Sequence, residues 1–303
     1  MANRSPGGHG FSAPRESLWQ TVDWRRHVSN TDLGELTLRH TDVGAGPALL
    51  LVHGLGGNWQ FWLENIWTLS RGHRVIAVDL PGFGHSDCVP GQVSMAAFAD
   101  VLAQLLAKLE ITGVTVVGHS MGGLVAQRFA VAYPHFVDRL VLVGSGGLRL
   151  PFWRRTGLLA AALTINALVR LRFVKRALAQ SRAVRRLALS KIVYDPVCVS
   201  APLFDQLAGG FGSPGFVRAI TAAVKEDFEK DLSSIDCPTL LLYGDADPLA
   251  TPKYAATLAK SIPHSQLVTW ERIGHAPMIE RPDAFNQLII DFVANHLSQS
   301  PSA

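Results

Sequence analysis

Cysteine is scarce in this sequence. Cys88, Cys198 and Cys237 are three in number and far apart, too few for a disulfide framework and wrongly spaced for a metal site. They read as reduced, packed thiols, and the expected compartment is the cytoplasm. Charged residues make up only 17% of the chain against 48% hydrophobic ones, which excludes a chain disordered as a whole and provides for a sizeable core. Long apolar runs are also missing. The most apolar stretch, Gly157 to Val169, is thirteen residues interrupted by Thr164 and Asn166, too short to span a bilayer. The first fifteen residues are rich in Gly, Ser and Pro without an apolar core, so they read as a loose arm rather than a secretory signal.

One further absence is local. Between Arg149 and Lys191 there are eleven Lys or Arg residues and no Asp or Glu, leaving 17 basic against 24 acidic residues elsewhere. The net charge of +4 therefore hides a basic segment on an acidic body. No nucleic-acid motif accompanies this charge, so nucleic-acid binding is not expected. Arg172, Lys175, Arg176, Arg182 and Arg186 fall on one side of a helix at about 100° per residue. That pattern is consistent with a solvated face, or with a lid that contacts an anionic membrane or steers an acidic substrate toward the site.

What is present is strand–helix alternation. Two alternating runs, Val22 to Val28 and Glu35 to His40, predict an antiparallel hairpin about Asn30-Thr31-Asp32. Ala48 to Val52, Arg74 to Val78 and Arg139 to Val143 read as buried parallel strands. Helical segments follow Trp59 and run from Ser94 to Leu109. The alternation stops at Gly144-Ser145-Gly146-Gly147 and resumes with a strand from Thr239 to Tyr243, a helix from Lys253 to Lys260, a strand from Gln266 to Trp270 and a helix from Asp283 to His296. The fold class is α/β, with a mostly parallel central sheet flanked by helices. The expected organisation is an arm over 1–20, a core over 21–147 and 235–298, and a helical cap over 148–234, inserted after the sixth strand where an open α/β sheet binds ligands.

The chemistry centres on Val114 to Gly123. A β-branched run reaches Gly118-His119-Ser120-Met121-Gly122 and an apolar helix-like segment follows at once. Strand before and helix after make Ser120 a candidate nucleophile on a strained turn. Such a serine needs a base, and the base an orienting acid. His275, in a loop flanked by Gly274 and Pro277, is the best placed of eleven histidines. For the acid, Gly244-Asp245-Ala246-Asp247-Pro248 offers two aspartates, either of which can face the site. Oxyanion donors are expected in the backbone N–H groups of Met121 and Leu55, the latter in the glycine loop after the first buried strand. Gly54, Trp59, His119, Phe152 and Leu249 are candidate substrate contacts. No metal ligand set is seen.

Together His53-Gly54-Leu55-Gly56-Gly57, Asp79 to Ser86, Gly118 to Gly123, Gly244 to Pro248 and Gly274 to Pro282 resemble the motifs of the α/β-hydrolase fold superfamily, in its branch of small cap-bearing serine hydrolases. The resemblance covers about Val22 to Leu297 apart from the cap. It selects Asp247 as the acid and implies a cofactor-free Ser120–His275–Asp247 mechanism. Ser120 excludes epoxide hydrolase and haloalkane dehalogenase readings, which carry Asp there. The expected function is hydrolysis of carboxylic esters with apolar acyl or alcohol parts (esterase- or lipase-like). C–C bond hydrolysis of ring-cleavage diketo acids, or thioester hydrolysis, is the alternative. A non-catalytic small-molecule binder on the same fold is the alternative of a different class. Monomer and dimer are both open.

Overall fold

In the computed structural model the described residues are 17–146, 160, 163–164, 166–169, 171, 181–227 and 229–297. Apolar strands dominate the middle of the chain, and a strand apolar on both faces is stable only between two layers. Eight strands accordingly form one sheet in the order β1-β2-β4-β3-β5-β6-β7-β8, where β1 is Val28–Asp32, β2 Thr37–Val43, β3 Ala48–Val52, β4 Arg74–Val78, β5 Val114–His119, β6 Val137–Val143, β7 Thr239–Gly244 and β8 Ser265–Trp270. β1 and β2 pair antiparallel, as do β2 and β4, and all other pairs are parallel.

Alternation along the strands divides the core in two. Leu50, Val52, Val116, Leu142 and Leu241 pack under α3 (Met95–Lys108), α4 (Met121–Ala132) and α8 (Pro252–Ser261). Leu49, Leu51, Val117, Val141 and Leu242 pack under α2 (Leu63–Leu69) and α9 (Pro282–Leu297), which supply Ile66, Leu69, Phe285 and Ile289. Ser94 caps α3 by accepting the N–H of Ala97 at 3.0 Å, which satisfies one of the free donors of the first turn.

The hairpin exists, but later in the chain than the alternation predicts. Asn30, Thr31 and Asp32 lie inside β1. The turn falls after them, where Gly34 takes φ 91° and donates to Asp32 Oδ1 at 2.8 Å. Before the hairpin, Leu18–Thr21 forms a short helix, α1, and Trp24–His27 a 3₁₀ turn. Both bury a tryptophan, Trp19 and Trp24, so burial of these rings overrides the strand-like pattern. Ser17 Oγ and Trp19 Nε1 both donate to Glu64 Oε1, at 2.8 and 2.9 Å, so the chain is tied down within the range expected to be a loose arm.

Between β6 and β7 lies the helical insertion, whose part from residue 181 onward comprises α5 (Arg182–Leu189), α6 (Ala201–Leu207) and α7 (Phe216–Lys225) with short 3₁₀ turns. Ser181 is extended and caps α5, accepting the N–H of Val184. The helical phase expected to run from Arg172 to Arg186 is therefore reset at Ser181, and residues 172–180 lie outside the described ones. The inner part of the insertion is continuous with the core. Leu203, Phe204 and Leu207 of α6 join the cluster that holds Trp59 and Phe61.

Two backbone seams hold the insertion to the sheet edge. Gly215 N–H donates to Gly82 O at 2.8 Å, and Gly210 lies against Gly56 and Gly57 so closely that a Cβ there would stand 2.5 Å from Gly56 O and 2.7 Å from Gly57 C. Backbone cannot retreat as a flexible side chain can. Gly210→Ala is therefore expected to destabilise the protein by about 1–3 kcal/mol through overpacking, read by urea unfolding. A control at Gly72, where a Cβ meets nothing within 4 Å, should show no such loss. Equal midpoints for the two variants would contradict the seam.

Candidate active site

Register decides what meets at the sheet edge. Val52 pairs with Gly118, Gly118 with Leu142 and Leu142 with Leu241. The next residues of each segment, His53-Gly54, Ser120, Gly144 and Asp245 to Asp247, therefore emerge together at the carboxyl ends of the strands, where such sheets bind ligands.

Ser120 stands between β5 and α4 at φ 53°, ψ −120°, a conformation that favours glycine. Its N–H donates to Val143 O at 2.9 Å, which ties the elbow to the neighbouring strand. The turn requires bare neighbours. A Cβ on Gly118 would come within 2.5 Å of Gly122 O, and one on Gly122 would strike Val52 O and His53 O. Ser120 keeps partial exposure while His119 and Met121 on either side are buried. Met121 opens α4, so its N–H has no partner within the helix.

The glycine loop after β3 is fixed by His53. Its Nδ1 lies 2.7 Å from Gly54 O and its Nε2 accepts the N–H of Leu80 at 3.0 Å. The tautomer is thereby set: Nδ1–H donates and Nε2 accepts. Burial lowers the His53 pKa to about 4, against the raising effect of its bond to Gly54, so the ring is neutral. Gly57 N–H also donates to Gly54 O, at 3.1 Å. With that carbonyl held from two sides, the Leu55 N–H of the same trans peptide points the opposite way. Gly54 sits beside the serine: a Cβ on it would be 2.9 Å from Ser120 Cβ. Buried Asp79 anchors the chain on both sides of β4, accepting the N–H of Trp59 at 2.8 Å and of His85 at 2.9 Å.

The two aspartates after β7 take different partners. Asp247 Oδ2 accepts from His275 Nδ1 at 2.7 Å, and Asp247 Oδ1 accepts the N–H groups of Leu249 and Ala250 at 2.7 and 2.9 Å. Asp245 Oδ1 instead accepts the N–H of Arg272 at 2.7 Å, where Arg272 has φ 57°, so it stabilises a turn. Asp247 and His275 are both buried. With Nδ1–H committed to Asp247, His275 Nε2 carries the lone pair.

Of the expected substrate contacts, His119 is a joint rather than a wall. It is buried, its Nε2 bonds to His275 O at 2.9 Å, and its ring centre lies 4.8 Å from that of His275. Burial holds its pKa well below the usual histidine range, with His275 adding to the effect. Trp59 is a correction: it is fully buried, edge-on to Trp24 at 5.2 Å within the core. An apolar helical stretch looks the same in sequence whether it faces core or pocket. Leu249 is exposed two residues after Asp247, to which its N–H donates, Gly54 adjoins Ser120, and Phe152 lies outside the described residues. Among the described residues no group of three His, Cys, Asp or Glu could hold a metal ion. Burial pushes the thiols of Cys198 and Cys237 up to about 12 and about 11, which makes them poor nucleophiles.

Sequence reasoning assigns no role to Glu280, although it lies in one of the family-like motifs. Its Oε1 accepts the N–H of Gly274 at 2.8 Å and its Oε2 the N–H of Tyr194 at 2.7 Å. His275 N–H donates to Ile192 O at 2.8 Å. One buried carboxylate thus clamps the histidine loop to the insertion. Burial raises the Glu280 pKa from 4.5 to about 7, although the N–H groups of Tyr194 and Gly274 oppose the shift. A folded pKa above the unfolded one contributes stability that is full below the unfolded value and lost as pH rises through the folded value. Glu280→Gln removes that titration. The stability of wild type relative to this variant should therefore fall from about pH 5 to about pH 8, by up to about 3 kcal/mol. Urea midpoints across that range measure it, and a pH-independent difference would contradict the assignment.

Comparison with known proteins agrees with the geometry. The model of the alpha/beta hydrolase fold family matches residues 47–282. An uncharacterized protein of Mycobacterium tuberculosis is 32% identical over 261 residues, covering 83% of this chain and 76% of its own. The 2-hydroxy-6-oxo-2,4-heptadienoate hydrolase of Pseudomonas putida is 33% identical over 258 residues, covering 84% and 91%. A solved thermophilic esterase from Thermogutta terrifontis superposes with a TM-score of 0.70 at 27% identity, covering 88% and 98%. With the elbow, the glycine loop and the Asp247–His275 pair all built on this sheet, the chain belongs to the α/β-hydrolase fold family.

Proposed function

We propose that this protein is a serine hydrolase of carboxylic esters with an apolar acyl or alcohol part. The observation that carries the reading is the Asp247–His275 bond at 2.7 Å, buried beside an elbow that raises Ser120 at φ 53°. A binding protein has no need of either. In the proposed step His275 Nε2 takes the Ser120 proton as Oγ bonds to the ester carbonyl carbon. Asp247 holds the resulting imidazolium in place. The oxyanion accepts from the N–H groups of Met121 and Leu55, donors fixed before the substrate arrives. Collapse breaks the carbon–oxygen bond, the leaving alkoxide takes the proton from His275, and water repeats the sequence to release the acid.

An apolar substrate is supported by the wall beside the oxyanion loop. Leu55 is half-buried there, and the Phe216 ring approaches Gly56 so that a Cβ would lie 3.3 Å from it. The tryptophans do not contribute, since Trp59 and Trp62 are fully buried. A second reading, C–C bond hydrolysis of a 2-hydroxy-6-oxo dienoate, draws on the activity for which the Pseudomonas putida relative is named. The same serine chemistry serves it once the dienol has tautomerised to its keto form, carbon gaining a proton as the hydroxyl loses one.

Hydrolysis of p-nitrophenyl esters from acetate to palmitate tests the first reading. Ser120→Ala is expected to lower kcat by at least about 10⁴-fold. Asp247→Asn is expected to lower it by about 10⁴-fold, because an amide lets the imidazole adopt the wrong tautomer. A wild type inert on the whole series but active on a 2-hydroxy-6-oxo dienoate would replace the ester reading with the second. A wild type inert on both would favour a binding role.

A further inference from the structure

We infer that Glu280 is a positioning residue for His275 in the proposed reaction: its carboxylate fixes the backbone around the base, so that the imidazole stands where Nε2 takes the serine proton. The inference rests on the reading of His275 as general base. The bond from Nδ1 to Asp247 Oδ2 at 2.7 Å fixes one point of the ring. The direction of Nε2 then depends on where the backbone places the other end, at Cβ. Glu280 acts on that end. Its Oε1 accepts the N–H of Gly274, the residue before the base, at 2.8 Å. The N–H of Ala276, the residue after it, also favours the carboxylate's charge. From the insertion, the N–H of Tyr194 donates to Oε2 at 2.7 Å, and that of Asp195 adds to it. Peptide groups on both sides of the base and from a second chain segment therefore converge on one carboxylate.

The clamp has a fixed footing. Glu280 ends the buried helical turn Pro277–Glu280. Buried Asn65 of α2 holds that turn, donating through Nδ2 to Met278 O at 3.1 Å and to Asn286 Oδ1 at 3.0 Å. The backbone of His275 is held from two more directions. Its N–H donates to Ile192 O at 2.8 Å, and His119 Nε2, next to the nucleophile, donates to its carbonyl at 2.9 Å. Space is as tight as the bonding: a Cβ on Gly274 would lie 2.7 Å from Tyr194 N, and one on Gly144 3.1 Å from His275 Nδ1. A contact that only filled this space would need no ionisable group. Burial raises the Glu280 pKa to about 7, a penalty that an amide or an apolar side chain avoids. What a carboxylate supplies in return is two acceptor oxygens and no donor, so both segments are gripped at once.

Steady-state kinetics of the full chain test it, on whichever of the two substrate series the wild type turns over. Glu280→Gln is isosteric and uncharged, but its amide N–H₂ must face the N–H of either Gly274 or Tyr194, so one grip is lost. A displacement of about 1 Å costs up to about 100-fold, so kcat is expected to fall about 10- to 100-fold with KM within about twofold of wild type. Glu280→Asp keeps the charge and withdraws the oxygens by one methylene, so it should lose kcat likewise. Urea midpoints show that each variant is folded under the assay conditions. A second readout needs no substrate. The low-field proton resonance of His275 Nδ1–H, assigned by its loss in His275→Gln, should move or broaden in Glu280→Gln. Loss of kcat with KM kept, together with the altered resonance, supports the inference. A wild-type kcat in Glu280→Gln overturns it, as does a loss confined to KM or an unaltered resonance. Full rescue by Glu280→Asp also overturns it, because charge rather than placement would then be the requirement. If the wild type is inert on both series, or Ser120→Ala keeps full turnover, the proposed function falls, and the resonance alone decides whether Glu280 positions the ring.

Discussion

At Ser120 the chain must pass from strand to helix within one residue, at φ 53° and ψ −120°. A side-chain-bearing residue held there costs about 1–3 kcal/mol. Such strain persists only where the surroundings leave no relaxed alternative. Here the Val143 carbonyl takes the Ser120 N–H, and the buried Met121, Leu124 and Val125 fix the start of α4. Gly118 and Gly122 lie so close to each other and to the end of β3 that neither tolerates a Cβ. The elbow is thus a contact between three chain segments, and the positions of the glycine loop and of β6 are set by it.

The second constraint is electrostatic. Three histidines, His53, His119 and His275, are buried within a few residues of the elbow or of its partners. A cluster of imidazolium ions in so dry a place would be untenable. The structure avoids it by giving each ring a fixed role in hydrogen bonding. His53 spans Gly54 O and the Leu80 N–H and stays neutral, with a pKa of about 4. His119 bonds to the backbone of His275 and stays neutral as well. His275 alone faces a carboxylate. The one ring of the three with a carboxylate partner is therefore flanked by two that remain uncharged.

The difference between what the sequence makes legible and what it conceals tracks the range of the interactions. The elbow, the glycine loop and the order Ser120, Asp247, His275 are local patterns, each a few residues long at the end of an apolar strand, and all can be located. The choice between Asp245 and Asp247 rests on loops 27 and 28 positions away, where Arg272 N–H meets one and His275 Nδ1 the other. Local composition leaves it open, and only resemblance decides it. Trp59 is misplaced by sequence because apolar spacing reports burial without saying against what. The early strand is misplaced because Trp24 contributes more by burial in a 3₁₀ turn than alternation does in an edge strand. Glu280 is visible as motif and hidden as mechanism, since its second partner, Tyr194, is 86 positions away in the insertion.

That insertion is not held uniformly. α6 buries Leu203, Phe204 and Leu207, α7 buries Ala219 and Ile220, and α5 buries only Leu189. At about 25 cal/mol per Å² of apolar area, the three helices rank in that order of attachment, and regions with few buried apolar contacts open at lower free energy than the rest. The backbone seams at Gly210 and Gly215 reinforce the same side, near α6 and α7. Glu280 and the Ile192 carbonyl grip the chain just after α5, so among the described helices of the insertion the loosely attached one is α5 itself. Its sequence alternates Arg with Leu and Val over an inward face of one leucine. A helix so composed gains little from the core of its own protein, and among the described helices of the insertion it is the one expected to open at the lowest free energy.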